Sequence, residues 1–434
     1  MGTTGGLTPI PGYAFYCGYI KQSVWGTAVA PTGASAWFSR WQDGTSAQPT
    51  TQVQKEREGD ASPFINLIYK KGQYWGIKVV EYARPITVGR ILQACLRSGS
   101  DTYTAPTMSG TLSASVVAGA TSFSTALNLG TVGTLNLNAT PGYSSTTYEV
   151  VTVDLTTKTG VGPYTYTLAA GGKFKNAHAS GDTISTQSIH TLTPQAAPYD
   201  AFTSEIGWGS AVFTPAQAIR LTDSVCTQVD ITSQTGMPLK VEHTWYGAAS
   251  QLLAALSTVT LEGSDVVGAA GGPLMHSQAG SSWTLDGLNT GNAATVKQCK
   301  VSLKNSTQAQ DFQSEGLVPN YFTPDNFDVE CDLSVIFQSY RQYFEMYYGS
   351  GAATTGATDS YLTGVGSLAV TWAGDAINSL GISVPSAAYT ADVKMDPKRD
   401  GKAVQQSIHL SGQRSVGGPA PVTATLTNSL AAQY

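Results

Sequence analysis

Period-two alternation runs through most of the chain and predicts strands almost everywhere. In "QYWGIKVVEYARP" it places Trp75, Ile77 and Val79 on one face, and Pro85 marks the turn that follows. In "NFDVECDLS" it places Phe327, Val329, Cys331 and Leu333 on one face and Asp328, Glu330 and Asp332 on the other. Each of these strands leads into a stretch whose apolar positions recur at helical spacing. The first, "PITVGRILQACLRSGS", carries the stripe Val88, Leu92, Cys95 and Leu96. The second, "SVIFQSYRQYFEMYYGS", carries Ile336, Tyr340, Tyr343, Phe344 and Tyr347. Gly99 and Gly349 stand where a helix end favours a residue of positive φ.

The pattern after the helices also recurs. "SVCTQVDITSQTGMPLKVEHTWYG" reads as strand, Gly-containing turn and strand, and "AAYTADVKMDPKRDGKAVQQSIHLSG" has the same form with its turn at Asp400-Gly401. The chain therefore reads as two copies of one sheet-plus-helix unit, with Leu92 and Leu96 in one core matching Tyr340 and Phe344 in the other. The first copy is interrupted by Pro106 to His190. That segment has its own Thr-rich hairpin, "VVTVDLTTKTGVGPYTYTLAAGG", and reads as a small all-β domain inserted at a loop. The expected organisation is residues 1–105 with 191–262 as the first unit, 106–190 as the insert and 263–412 as the second unit. Residues 413–434 are expected to form a C-terminal arm that orders on a neighbour.

Composition sharpens this picture. Charged residues are 12% of the 434, against about 25% in an average globular protein, while Gly reaches 46. So little charge in a large chain is either a trait of a Ser/Thr-rich β protein or, the reading favoured here, a sign that much of its surface is buried against copies of itself, since interface centres are poor in charge. The net charge of −5 shows no basic excess for gripping nucleic acid. The N-terminus lacks a signal-peptide pattern, and no apolar run is long enough to span a bilayer. Five scattered cysteines read as reduced, buried thiols.

Catalytic and cofactor signatures are absent. The five histidines share no metal-ligand spacing, and there is neither a phosphate-binding Gly-Lys loop nor a Gly-x-Ser-x-Gly elbow. The row Asp328, Glu330 and Asp332 does not converge as a catalytic or metal site must. The residues alone favour a solvated face that blocks edge pairing, with a surface past which a polyanion slides as the sharper alternative. Lys398, Arg399 and Asp400 form a charged loop, either a solvated hairpin tip or a contact between stacked rings.

Three stretches together resemble the major tail tube proteins of long, non-contractile bacteriophage tails: residues 72–100, 220–248 and 296–349. The resemblance implies a mainly β fold of α+β units. It would comprise two tandem β-sandwich or barrel units, each with a flanking helix, plus the inserted β domain on the outside. It implies three two-unit chains per pseudo-hexameric ring, with rings stacked into a tube that carries double-stranded DNA without sequence-specific binding. Its partners would be itself and the tape-measure, tail terminator and tail-tip proteins. Its place would be the virion tail, assembled in the host cytoplasm, with no cofactor, no enzymatic activity and no membrane insertion. Asp328, Glu330 and Asp332 would then face the lumen and Lys398, Arg399 and Asp400 the next ring. The alternatives are a tube of a phage-tail-like injection or secretion particle, and a multi-domain β adhesin or glycan-binding virion protein.

Overall fold

The structure, a computed structural model, describes residues 15–33, 35–56, 67–98, 101–137, 149–208, 217–253, 255–259, 261–262, 272–278, 280–285, 288–289, 296–308, 317–319, 321–336, 365–375, 378–390, 394–396, 404–414, 418–430 and 433–434. It is mainly β. The first copy supplies β1 (Phe15–Lys21), β2 (Trp37–Ser39), β3 (Ser46–Glu56), β4 (Leu67–Tyr82), α1 (Thr87–Leu96) and β5 (Thr102–Thr104). The insert supplies β6 (Ser109–Thr111), β7 (Ser122–Thr125), β8 (Thr134–Leu137), β9 (Glu149–Thr159), β10 (Tyr164–Leu168) and β11 (Thr183–Ser185). The first copy resumes with β12 (Ser188–Leu192), β13 (Phe202–Trp208), β14 (Gln217–Gln234), β15 (Lys240–Gly247) and β16 (Ala249–Leu253). The second copy opens with β17 (Ser282–Leu285), β18 (Leu288–Asn289), β19 (Val296–Gln308) and β20 (Thr323–Ile336). It continues with β21 (Val365–Ala373), β22 (Ser379–Tyr389), β23 (Lys394–Asp396), β24 (Gln405–Gly412) and β25 (Thr423–Asn428).

The two copies pair their strands alike. Antiparallel pairs β1–β2, β1–β13, β3–β4 and β4–β15 have the counterparts β17–β18, β17–β21, β19–β20 and β20–β24. Pairs β13–β14, β14–β15 and β14–β16 have the counterparts β21–β22, β22–β24 and β22–β25. Even an irregularity recurs. The β3–β4 ladder slips by one residue between Gln52 and Val53, and the β19–β20 ladder between Asn305 and Thr307.

One pairing crosses between copies: β14 runs antiparallel beside β19, from Gln228 opposite Lys304 to Gln234 opposite Gln298. A single sheet therefore continues from β3 through β4, β15, β14, β19 and β20 to β24. Its inner face places Ile77, Val79, Trp245, Val229, Leu303, Cys331, Leu333 and Leu410 in one shared core. β14 serves two sheets, pairing β13 and β16 with its first half and β15 and β19 with its second. Asp223 at φ 53 and a bulge between Cys226 and Gln228 bend it between them.

Among the described residues α1 is the one helix, and all ten of its residues are buried, not only the apolar stripe. Its N-terminus is capped from afar. Glu262 Oε1 accepts from the Ile86 N–H at 2.7 Å, and Oε2 accepts from the Thr87 N–H and hydroxyl. The left-handed residue at its C-terminus is Arg97 (φ 55), where the sequence pointed to Gly99, which lies outside the described residues. Arg97 holds that conformation with a guanidinium that donates to Ala197 O at 3.2 Å and lies 5.9 Å from the Tyr199 ring. Leu92 and Leu96 are fully buried in the core, whereas Tyr340 and Phe344 lie outside the described residues.

Two sequence-based boundaries move. β25 is the counterpart of β16 and pairs β22 and β12 of its own chain. Tyr434 docks there as well, partly buried: its amide donates to Asp101 Oδ1 at 3.2 Å and its ring lies 4.6 Å from the His190 ring. A β-carbon at Gly89 would collide with the Tyr434 hydroxyl, so α1 accepts this residue only where it has no side chain. The expected arm on a neighbour is thus docked at home, because β22 offers it a free edge within the molecule.

The insert's sheet, β6-β11-β8-β9-β10-β7, has its own core around Leu112, Phe123, Leu135, Tyr166 and Phe174. β12, at the end of the segment assigned to the insert, instead belongs to the host sheet between β5 and β25. The strands entering and leaving the insert touch at Thr186, whose N–H donates to Met108 O at 3.0 Å. Excising residues 108–185 with a short turn is therefore expected to leave the host's cooperative urea transition in place. Excising 106–190 removes Ser188–His190, most of β12, and should abolish it.

Candidate self-assembly interface

The outer face of the continuous sheet is polar, and pairing fixes its neighbours. One row runs Lys240, Thr232, Lys300, Asp332 and His409. The next runs Glu242, Asp230, Ser302, Glu330 and Ser411, and a third Lys78, Thr244, Gln228, Lys304 and Asp328. Asp328, Glu330 and Asp332 are all exposed here, as a solvated strand face requires. The face is not acidic as a whole. Lys304 stands opposite Asp328 and Lys300 opposite Asp332, Lys78 pairs with Glu242 at 2.6 Å, and His409 Nδ1 lies 2.6 Å from Asp332. The strand's own alternation could not reveal the lysines, because they come from a neighbour set by register.

The borders of this sheet are its distinctive feature. Among the described strands β3 pairs only β4, and β23 pairs only β24. Among the described strands each therefore has one side without a strand partner, a state that folded proteins normally cover. Pro49 in β3 fits an edge position. The first copy's hairpin also exposes apolar groups: Val53 is 52% and Ile68 62% accessible. Lys398, Arg399 and Asp400 lie outside the described residues.

Buried polar groups lock the two layers, and sequence reading missed them because their partners are far apart in the chain. Glu205, fully buried, accepts from Tyr16 Oη at 2.6 Å, from the Ser257 N–H at 3.2 Å and from Arg220 Nη2 at 2.7 Å. Burial pushes its carboxyl up, but those hydrogen bonds and the Arg220 charge outweigh it and hold the group below the usual carboxylate range. At Glu262 the balance reverses. Burial dominates the helix-cap bonds and the carboxyl is raised. The Trp245 indole N–H donates to His243 Nδ1 at 2.6 Å, leaving Nε2 3.1 Å from Glu81. All five cysteines are free and buried, and burial pushes the Cys331 thiol up to about 12.

Among the described residues no group of three or more His, Cys, Asp or Glu side chains is placed to hold a metal ion, and no helix is long and apolar enough to cross a membrane. No protein family and no curated protein matches this chain.

Proposed function

We propose that this chain is a structural subunit that joins copies of itself head to tail into rings of three, and that the rings stack as the tail tube of a long non-contractile bacteriophage. The observation that carries this reading is the β14–β19 junction between two like-paired units. Among the described strands the same kind of edge has no second partner at both borders of the sheet, at β3 and β23. A contact that repeats the β14–β19 junction between chains joins two different borders, β23 of one and β3 of the next, so it is heterologous, and heterologous contacts that close by rotation give rings. With two units per chain, three chains give six units around the axis.

The polar outer face of the continuous sheet would line the lumen. Its interleaved lysines and carboxylates offer DNA no basic track, so transit would proceed without salt-dependent sticking. The insert, with a core of its own, would stand outside the wall. Tape-measure, tail terminator and tail-tip proteins would cap or fill such a tube. Negative-stain microscopy of the purified full chain tests this. Rings or tubes with threefold symmetry are expected, and a monomer at every concentration overturns the reading.

A further inference from the structure

The junction inside the chain is a template for the junction between chains. Because both copies share one pairing scheme, each position in one has a counterpart in the other. Ser302 lies opposite Glu330, as Gln48 lies opposite Gly76. Val80 lies opposite Glu242, as Ser334 lies opposite Ser407. Asp230 faces Glu242, as Lys394 faces Ser407. So β3 is the counterpart of β19, and β23 that of the half of β14 that receives β19.

The hairpin ends repeat this correspondence, with opposite fates. On either side of the shared ladder slip, Val53 matches Thr307 and Ile68 matches Phe322. In the second copy these residues are engaged by the first. The Thr307 hydroxyl contacts the Tyr199 hydroxyl, and Phe322, 3% exposed, packs with Tyr199, Val225 and Tyr246. In the first copy Val53 and Ile68 are open to solvent. Val225 lies opposite Tyr246 in β14–β15, and the matching pair in the second unit is Ala388 opposite Ser411.

We infer that the β3–β4 hairpin of one chain docks on the second unit of the next chain in the register that β19–β20 takes on the first unit. This rests on the ring reading above and adds its geometry. Ser46 meets Asp396 and Gln48 meets Lys394, antiparallel, with Val53 and Ile68 seated toward Ala388 and Ser411. Pro49 has no N–H to give, so the ladder is expected over Ser46–Gln48.

The test is oxidative cross-linking of the assembled full chain, with native thiols buried and silent. The double variant Gln48→Cys with Lys394→Cys should give covalent dimers and trimers on non-reducing gels. The offset pair Gln52→Cys with Lys394→Cys should give none. Rings that form without this cross-link, or that cross-link equally in the offset pair, overturn the register and leave the ring reading intact. Absence of any assembly in the parent chain overturns both. Ile68→Ser supplies a second readout: with an unchanged urea transition, the concentration at which rings form should rise by about tenfold or more. An unchanged threshold removes Ile68 from the interface.

Discussion

Replacing Trp245 by alanine is expected to lower stability by about 3–5 kcal/mol, the usual cost of emptying a large buried aromatic site. Trp245 is fully buried on β15 and stacks on Tyr19 with ring centroids 4.7 Å apart. It also meets Phe202 edge-on at 5.4 Å and lies 6.4 Å from Trp37. These rings come from β1, β2 and β13, so one side chain fastens the continuous sheet to the layer behind it. The indole N–H also satisfies His243 Nδ1, and its loss leaves a buried ring nitrogen without a donor. Trp245→Phe separates the two effects. It keeps most of the packing and loses the donor, so its cost should be about 1–3 kcal/mol. Urea unfolding followed by far-UV circular dichroism measures both, and equal costs for the two variants would show that packing is not the larger part.

The sheet-plus-helix grammar was legible in the sequence because burial on one face imposes a period, and β4, α1, β14, β15 and β20 fall where that period runs unbroken. The repeated order of strand patterns was legible for the same reason, whereas the second helix it predicts lies outside the described residues. What the pattern could not supply was pairing. Lys300 and Lys304 read as ordinary polar positions on β19, and only register puts them against Asp332 and Asp328. The helix end was misplaced because glycine is the cheap left-handed residue, whereas Arg97 takes that conformation with help from Ala197 and Tyr199, about a hundred residues away. Residues 413–434 read as an unattached arm because the partners of β25 lie in β12 and β22, neither close to it in sequence. The open borders themselves carry no signature. β3 differs from its counterpart β19 not in alternation but in having, among the described strands, β4 as its one partner.

Arg220→Ala is expected to cost about 3 kcal/mol near neutral pH, and its cost should shrink on acidification. In the parent chain the Glu205 carboxyl is held below its ordinary value, so the folded state favours the charged form. That contribution is complete above the ordinary glutamate pKa of about 4.3 and is lost as pH falls through the lower folded value. Removing Arg220 takes away the partner that offsets burial and leaves a buried charge with only the Tyr16 hydroxyl and Ser257 N–H as donors. Burial then prevails and the carboxyl moves up, as it already does at Glu262. A raised carboxyl reverses the sign, because the folded variant now takes up a proton that the unfolded chain releases, and its stability rises as pH falls. The gap between variant and parent should therefore be widest near pH 7 and narrow toward pH 4 in urea titrations. Arg220→Ala combined with Glu205→Gln should recover part of the loss at pH 7 and flatten this dependence. A gap that stays constant from pH 7 to pH 4 would place the cost in packing of the arginine side chain and not in its charge.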